Sequence, residues 1–573
     1  MAEVVFITPN TKGNIENESL GTLLLTTILR QNGIDAEILQ FFRFGDPKAF
    51  SLFLETAVRM ILEKKPRIVS FYTRCDNYHI MLTIARLLKQ ESDVVTVFAG
   101  PQADIVAEET LKAMPYVDYV CCGEGENTVY PFFSGLLRQE PDLGMPGLVY
   151  RSGENVIRNP RPVLTEDLDT LPFPDYGLLG YEISAGDRVD IDVGRGCPFG
   201  CVFCSTKLFW GRKYRLKSPE RIISEIRQLH ETYGVYRFSF THDMFTMNRR
   251  QIVKTCSLLR QLDFSIEWKC SARLDCIDDE LIDIMADAGM KSIYFGIETG
   301  SPRMQKLTNK NLSLDGVMEK LAGIRAKGLR FTASFIYGFP DETEEDLSMT
   351  LSLIRQIAEV SSDVVQAHMC TFLPGTELTQ RYQSGLVPAQ SFSDITGNVA
   401  LEECAEMIED NPLIFRHFRE YPTELRERTR FLTVFVMLWC RLQPVYGYMA
   451  EKYPANRLID MYYDFESANR ELLRQIKDQP LDRQIGRLLA EDRFVQRLKD
   501  DENYGVISDI CKIERIKSSE EMKKPGSVVR DVFAFSPAKL RKGIRLQSLE
   551  KRISFVTFIR QENGEIRMVI KSM

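Results

Sequence analysis

The first ~140 residues alternate short apolar runs with stretches whose apolar positions recur every three or four residues, the spacing of βαβ units. Runs over Val4 to Thr8, Ala36 to Phe42, Arg67 to Tyr72, Val94 to Ala99 and Tyr119 to Cys122 predict five strands. Helices are predicted from about Ser19 to Gln31, up to about Lys65, over Tyr78 to Gln90, and from about Thr128. Strands joined by crossover helices make a doubly wound, flavodoxin-like parallel sheet, whose ligands bind at the carboxyl ends of the strands. A short hairpin, Leu148 to Tyr150 with Val156 to Arg158, turns at Ser152-Gly153. The stretch Asp167 to Pro174 is too proline-rich for regular structure.

A second alternating series begins near Val189. Its strands are Ile191 to Gly194, Tyr236 to Thr241, Ser265 to Ser271, Ser292 to Ile297, Phe331 to Tyr337 and Val364 to Thr371, an open (β/α)6 barrel. Amphipathic helices follow, with aromatic residues such as Phe415, Phe418, Tyr446, Tyr448, Tyr462 and Tyr463 read as helix packing. The tail has strand patterns over Val528 to Phe535, Ile553 to Arg560 and Ile566 to Ile570, with a turn at Gly564. The expected domains are 1–140, a linker 141–185, the barrel 186–395, a helical region 396–504 and a small α+β tail 505–573.

Composition narrows the picture little. A net charge of -7 gives no overall field for nucleic acid or an anionic membrane, so a nucleic-acid partner is disfavoured. Between Cys511 and Arg552 stand twelve Lys/Arg and five Asp/Glu, read as a solvated face. The longest apolar run beside a helix, Phe431 to Cys440, is about half the ~20 residues of a membrane span. The start lacks a signal peptide's basic and cleavage regions, so a cytoplasmic protein with reduced cysteines is expected.

Chemistry concentrates just after the first strand of the second series. Gly194-Arg195-Gly196-Cys197-Pro198-Phe199-Gly200-Cys201-Val202-Phe203-Cys204 sets three thiols within eight residues. Thiolates are the soft ligands of iron–sulfur clusters, and three of them leave one iron of a four-iron cube open. A structural zinc site would want a fourth close ligand, and His230 and His242 are not spaced as one.

This triplet and its setting resemble the radical S-adenosylmethionine (SAM) family over residues 189 to 380. The resemblance implies a [4Fe-4S] cluster on Cys197, Cys201 and Cys204 that reductively cleaves SAM to a 5′-deoxyadenosyl radical. It also implies a reducing partner such as flavodoxin or ferredoxin. Phe203 would pack near the SAM adenine. Asp243 falls where the family contacts the SAM amino group, although Phe240-Thr241-His242-Asp243 departs from the usual Gly-Gly-Glu. Glu298, in Tyr294 to Ser301, resembles the ribose-binding stretch and could take ribose hydroxyls or the SAM ammonium. Ser334 opens the adenine-type strand, and Arg273 could pair with the SAM carboxylate.

The front domain resembles the cobalamin-binding domain of one large radical SAM class. Leu20 to Leu24, Ala99 to Ala103, Gly123-Glu124-Gly125-Glu126 and the Leu-Pro-Phe-Pro linker fall in that class's order. Cobalamin is then implied, with Tyr72, Thr73 and Arg74 at its lower face and Gly100, Pro101, Gln102, Gly123 and Glu124 along the strand-end turns. The Asp-x-His-x-x-Gly motif is missing, which implies cobalt without a histidine below. Cys75, Cys121 and Cys122 do not match the extra cluster cysteines of methylthiotransferases; small buried thiols are expected. The resemblance implies cobalamin-dependent methylation of an unactivated carbon on a small-molecule or peptide substrate. Its alternatives are a cyclase or rearrangement enzyme of the same architecture and a non-catalytic cobalamin sensor.

Overall fold

The computed structural model describes residues 2–10, 19–46, 49–360, 365–390, 401–452, 457–476, 481–501, 503–517, 528–535, 551–560 and 566–572. The chain falls into two compact units. One holds residues 1–272, 280–291 and 371–421; the other holds 273–279, 292–370 and 422–573.

The first unit is built on a parallel sheet. Its strands are β1 (Val4–Thr8), β2 (Ala36–Gln40), β3 (Ile68–Tyr72), β4 (Val95–Ala99) and β5 (Tyr119–Cys121). Their order, β2-β1-β3-β4-β5, makes β1 to β3 the switch of direction. Every residue of β1 is buried, as a strand covered on both faces requires. The covering helices include α1 (Leu20–Gln31), α2 (Phe50–Glu63) and α3 (Tyr78–Glu91). Ser19 caps α1 by accepting the Thr22 N–H at 3.3 Å.

The predicted hairpin does more than decorate a linker. Its strand β6 (Leu148–Ser152) pairs antiparallel with β5, and β7 (Asn155–Arg158) pairs antiparallel with β6, which extends the sheet to seven strands. Leu148 and Val149 are fully buried there, which ties the segment to the core. The region expected to be uniformly helical after 395 also divides. Cys404, Ile414, Phe415 and Phe418 join the core of this first unit beside Tyr78, Met81 and Phe98. Phe415 lies with its ring 6.2 Å from that of Tyr78, and Phe418 lies 5.4 Å from His79. That cover explains why α3 is buried on nearly all sides.

The second sheet orders its six strands without crossing over: β8 (Arg188–Asp192), β11 (Arg237–Thr241), β12 (Glu267–Ala272), β13 (Met290–Glu298), β14 (Arg330–Tyr337) and β15 (Val365–Met369). Every pairing described in it is parallel, as a partial barrel demands. A small antiparallel pair, β9 (Gly194–Arg195) with β10 (Arg215–Leu216), stands just past β8. The strand predicted over Ile191 to Gly194 thus divides, because Gly194 and Arg195 leave the barrel to pair with β10.

Apart from β13 to β15 and the tail, the second unit is mostly helical. Leu432–Arg441, Leu458–Ile476 and neighbouring helices close around Phe435, Trp439, Tyr446, Tyr462 and Phe465. Three antiparallel strands, Val528–Phe535, Lys551–Arg560 and Ile566–Ser572, form the tail. The Gly564 turn, Val364 and most of the basic run lie outside the described residues. Among the described residues no helix is long and apolar enough to cross a membrane.

Candidate functional site

The cluster loop is shaped by its glycines. Gly196 has φ +84°, and a Cβ there would meet the Lys213 carbonyl oxygen at 1.9 Å. Only glycine lets the chain turn this tightly against the segment leading into β10. A Cβ on Gly194 would likewise meet the Arg215 carbonyl at 2.4 Å. Beyond them Cys197, Cys201 and Cys204 stand half-buried on a loop without helix, none of them in a disulfide. Burial pushes the Cys197 thiol up to about 11, and the neighbouring Cys204, Asp243 and Cys201 add to it. Asp243 therefore belongs to the same cradle; its carboxyl is raised by burial and accepts from the Thr206 hydroxyl at 3.4 Å.

The donor set fits a cluster. Among the described residues no three His, Cys, Asp or Glu side chains close on one point as a single ion asks. A cube takes each thiolate on a different iron, so its cysteines stand apart. The two histidines nearest in sequence are occupied elsewhere. His230 stacks on Phe264 at 3.6 Å, and His242 accepts the Met244 N–H at Nδ1.

Behind the cluster loop lies a buried charge network absent from the sequence-based reading. Arg195 donates to Glu124 from Nη1 at 3.0 Å and to Asp192 from Nε at 3.2 Å, while Nη2 stands 2.7 Å from Glu126. Arg215, its partner across β9 and β10, grips both oxygens of Glu124 at 2.7 and 3.1 Å. Glu124 also accepts the Thr165 N–H at 2.7 Å. Trp210 carries both guanidinium groups against its ring, at 5.6 Å each. Burial alone would raise the carboxyl of Glu124, but Arg215 and Arg195 outweigh it and hold it below its usual range. The same contest, won by Arg195 and Lys217, holds Asp192 low.

The loop after β3 is braced from within. Thr73 donates from its N–H and its hydroxyl to the Ala99 carbonyl, both at 2.8 Å, and its hydroxyl accepts the Ala103 N–H. Arg74 makes a two-pronged pair with Asp76 at 2.9 and 3.2 Å, and its backbone N–H reaches Asn77. Burial raises the Tyr72 phenol and lifts the Cys75 thiol to about 12. Gly100 has φ +98°, and a Cβ would meet the backbone oxygen of Thr73 at 2.6 Å. Its glycine thus lets β4's exit, with Pro101 opening the next helix, pack on the β3 loop. Gln102 is buried and donates to the Ile414 carbonyl at 2.9 Å, and Gly123 packs on Pro162. These groups build the strand-end shelf, and Tyr72 and Arg74 are its partly exposed side chains. Cys121 and Cys122 are raised by burial, as small packed thiols are.

The remaining SAM candidates belong to the second unit. Glu298 ends β13 in the left-handed region, φ 70°, at a bulge between Gly296 and Glu298. A Cβ on Gly296 would stand 2.2 Å from the Glu298 carboxylate, so that glycine makes room for it. Lys310, which sequence reasoning missed, donates to Glu298 at 2.9 Å from between Asn309 and Asn311, both at φ 53°. Arg273 is buried and takes Asp275 two-pronged at 2.8 and 2.9 Å. Ser334 is buried on β14 opposite Gly296.

Comparison with known proteins assigns these features to families. The Radical SAM superfamily profile matches residues 191–354, and the B12 binding domain profile matches residues 13–132. An uncharacterized methyltransferase of Pyrococcus horikoshii is 30% identical over 363 residues, 63% of this chain and 77% of its own length. The anaerobic magnesium-protoporphyrin IX monomethyl ester cyclase of Rubrivivax gelatinosus is 29% identical over 50% of this chain; the match spans 53% of that relative. The solved structure of the cobalamin-dependent SAM radical enzyme OxsB, with aqua-cobalamin bound, shares the fold. Its TM-score is 0.62 at 14% identity, covering 90% of this chain and 84% of the other. The chain belongs to the radical SAM enzymes, in the class that carries a B12-binding domain ahead of the barrel.

Proposed function

We propose that this enzyme methylates an unactivated carbon of a biosynthetic intermediate or peptide, using cobalamin. When bound, the cluster and corrinoid supply radical generation from SAM and a carrier for its methyl group. Cys197, Cys201 and Cys204 would hold three irons and leave the fourth to the amino acid end of SAM. Phe203 would pack at the adenine, and Asp243 would sit near the SAM amino group. In the second unit, Glu298 and Lys310 present opposite charges a hydrogen bond apart. Glu298 would accept from the ribose hydroxyls of SAM, with Lys310 holding the carboxylate in place. Ser334 and Arg273 would complete the SAM contacts.

In the front domain, Tyr72, Thr73 and Arg74 would meet the lower face of the corrin, with Gly100, Pro101, Gln102, Gly123 and Glu124 shaping the turns around it. The observation that carries the reading is that shelf. Thr73 and the Arg74 N–H are hydrogen-bonded into it, Gly100 packs against it, and no histidine occurs between Tyr72 and Asp76.

The similarity to a cyclase favours one second reading, in which the radical drives ring closure without methyl transfer. The two separate in an anaerobic extract supplied with SAM carrying a deuterated methyl group. Methylation predicts a labelled small molecule or peptide that disappears when corrinoid is withheld. 5′-Deoxyadenosine without any labelled product would favour the cyclase.

A further inference from the structure

We propose that Glu124 and Arg195 form a positioning lock that sets the place of the cluster relative to the corrinoid. The inference rests on the reading that the front domain holds cobalamin. Glu124 belongs to the turn after β5, on the strand-end side of the doubly wound sheet. Arg195 stands two residues before the first cluster cysteine. Their side chains are 3% and 7% exposed, so solvent neither screens the pair nor replaces its hydrogen bonds.

The geometry goes beyond one ion pair. Arg195 spends all three of its nitrogens on three carboxylates: Glu124 and Glu126 from the front domain and Asp192 from the end of β8. Glu124 in turn is held by two guanidinium groups and a backbone N–H. A planar guanidinium engaged on every edge cannot turn or slide without breaking several charged hydrogen bonds at once. β9 and β10 put Arg195 and Arg215 opposite each other, and Glu124 is the carboxylate that both guanidinium groups share, so it relieves their repulsion alongside Glu126 and Asp192. The front-domain turn is therefore required to complete the local structure from which the cluster loop departs. Gly196 transmits that placement, because its close approach to the Lys213 carbonyl leaves the loop little freedom.

Glu124 and Arg195 act through the loops they hold and are positioning residues. Bracing the first loop residues against the corrin-side turn would keep the two cofactors at one separation through repeated turnover. A pair that merely stabilised the fold would leave that separation alone when weakened.

The test uses the full chain loaded with both cofactors, in wild type, Glu124→Gln and Arg195→Lys. Reduced [4Fe-4S] clusters and cobalt(II) corrinoids are both paramagnetic, and their magnetic coupling depends steeply on separation. Wild type is expected to show one well-defined coupling. In chains loaded with both cofactors, the resolved coupling is expected to broaden or be lost in both variants, with Arg195→Lys the milder because its charge remains. An unchanged coupling in fully loaded Glu124→Gln would overturn the proposal. So would variants that lose iron, since the pair would then serve only to fold the cluster loop. Failure of the cobalamin reading itself would show differently, as wild type without corrinoid.

Discussion

Glu298 carries a cost that a surface carboxylate would not. A non-glycine residue in the left-handed region costs roughly 1–2 kcal/mol, and it persists only where the surroundings over-determine it. Its strand bulges, Gly296 gives up a side chain to it, and Lys310 pairs with it, which together mark a purposeful carboxylate. Glu298→Gln should keep the cluster but weaken SAM binding by ~1.5–3 kcal/mol, roughly ten- to a hundred-fold in Kd. Equilibrium binding of SAM to the folded variant checks this; unchanged affinity would make the pair structural. Glu342 offers a second residue-scale outcome. It is fully buried, accepts the Gly338 N–H at 2.5 Å and has Oε1 without a partner among the described residues. Burial lifts its carboxyl to about 8, the Gly338 hydrogen bond and Arg303 pulling down and Asp346 pushing up. The folded state therefore keeps a proton that the unfolded chain releases above its ordinary pKa near 4.5. Stability is lost as pH rises from about 4.5 to about 8, at no more than ~1.4 kcal/mol per pH unit. Glu342→Gln lacks that loss, so its Tm should gain on wild type between pH 6 and pH 8; parallel melting curves would contradict this. At this scale the cysteine triplet stands out in the sequence by its spacing, whereas Glu298 was singled out only through the family resemblance. The partners of Glu124 and Arg195 were not, because a buried ion pair joins residues 71 apart in sequence and leaves no periodic trace.

Elements were read from the chain nearly to their ends where apolar periodicity was strong. β1, β3 and β14 match within a residue or so, since strands buried on both faces read as unbroken apolar runs. Discrepancies fall where a segment's partner is distant. The hairpin β6–β7 was visible as a hairpin but not as two further strands of the front sheet, which depends on β5 offering a free edge. Residues 401–421 looked like the start of the helical region, yet Phe415 and Phe418 are core residues of the first unit. Gly196 is the element-scale test. Gly196→Ala sets a Cβ 1.9 Å from a backbone oxygen in a conformation that disfavours side chains. The β9–β10 pair must shift to accept it, and the loop it launches carries the cysteines. The variant should assemble less cluster, seen as lower iron per chain and weaker visible absorption, while Gly186→Ala, with open space around its Cβ and no left-handed φ, should not. Equal iron in both would show that the turn does not position the loop.

For the whole molecule, the claim is that one chain carries a radical-generating cluster and a corrinoid, each on the parts described here. The first unit contains both the three-cysteine loop and the braced shelf after β3. The B12 class was legible because glycine-rich strand ends, a Pro-rich linker and the cysteine triplet fall in a fixed order. The substrate was not, since the pocket walls come from side chains that no motif fixes. The most direct measurement is iron and corrinoid per chain in one anaerobic preparation from cobalamin-supplied cells. Wild type should be compared with a chain in which Cys197, Cys201 and Cys204 are all alanine. Wild type should hold about four irons and about one corrinoid, whose spectrum lacks a histidine ligand to cobalt. The triple variant should lose the iron and SAM cleavage but keep the corrinoid. Iron retained in the triple variant, or wild type that takes up iron but no corrinoid, would contradict it.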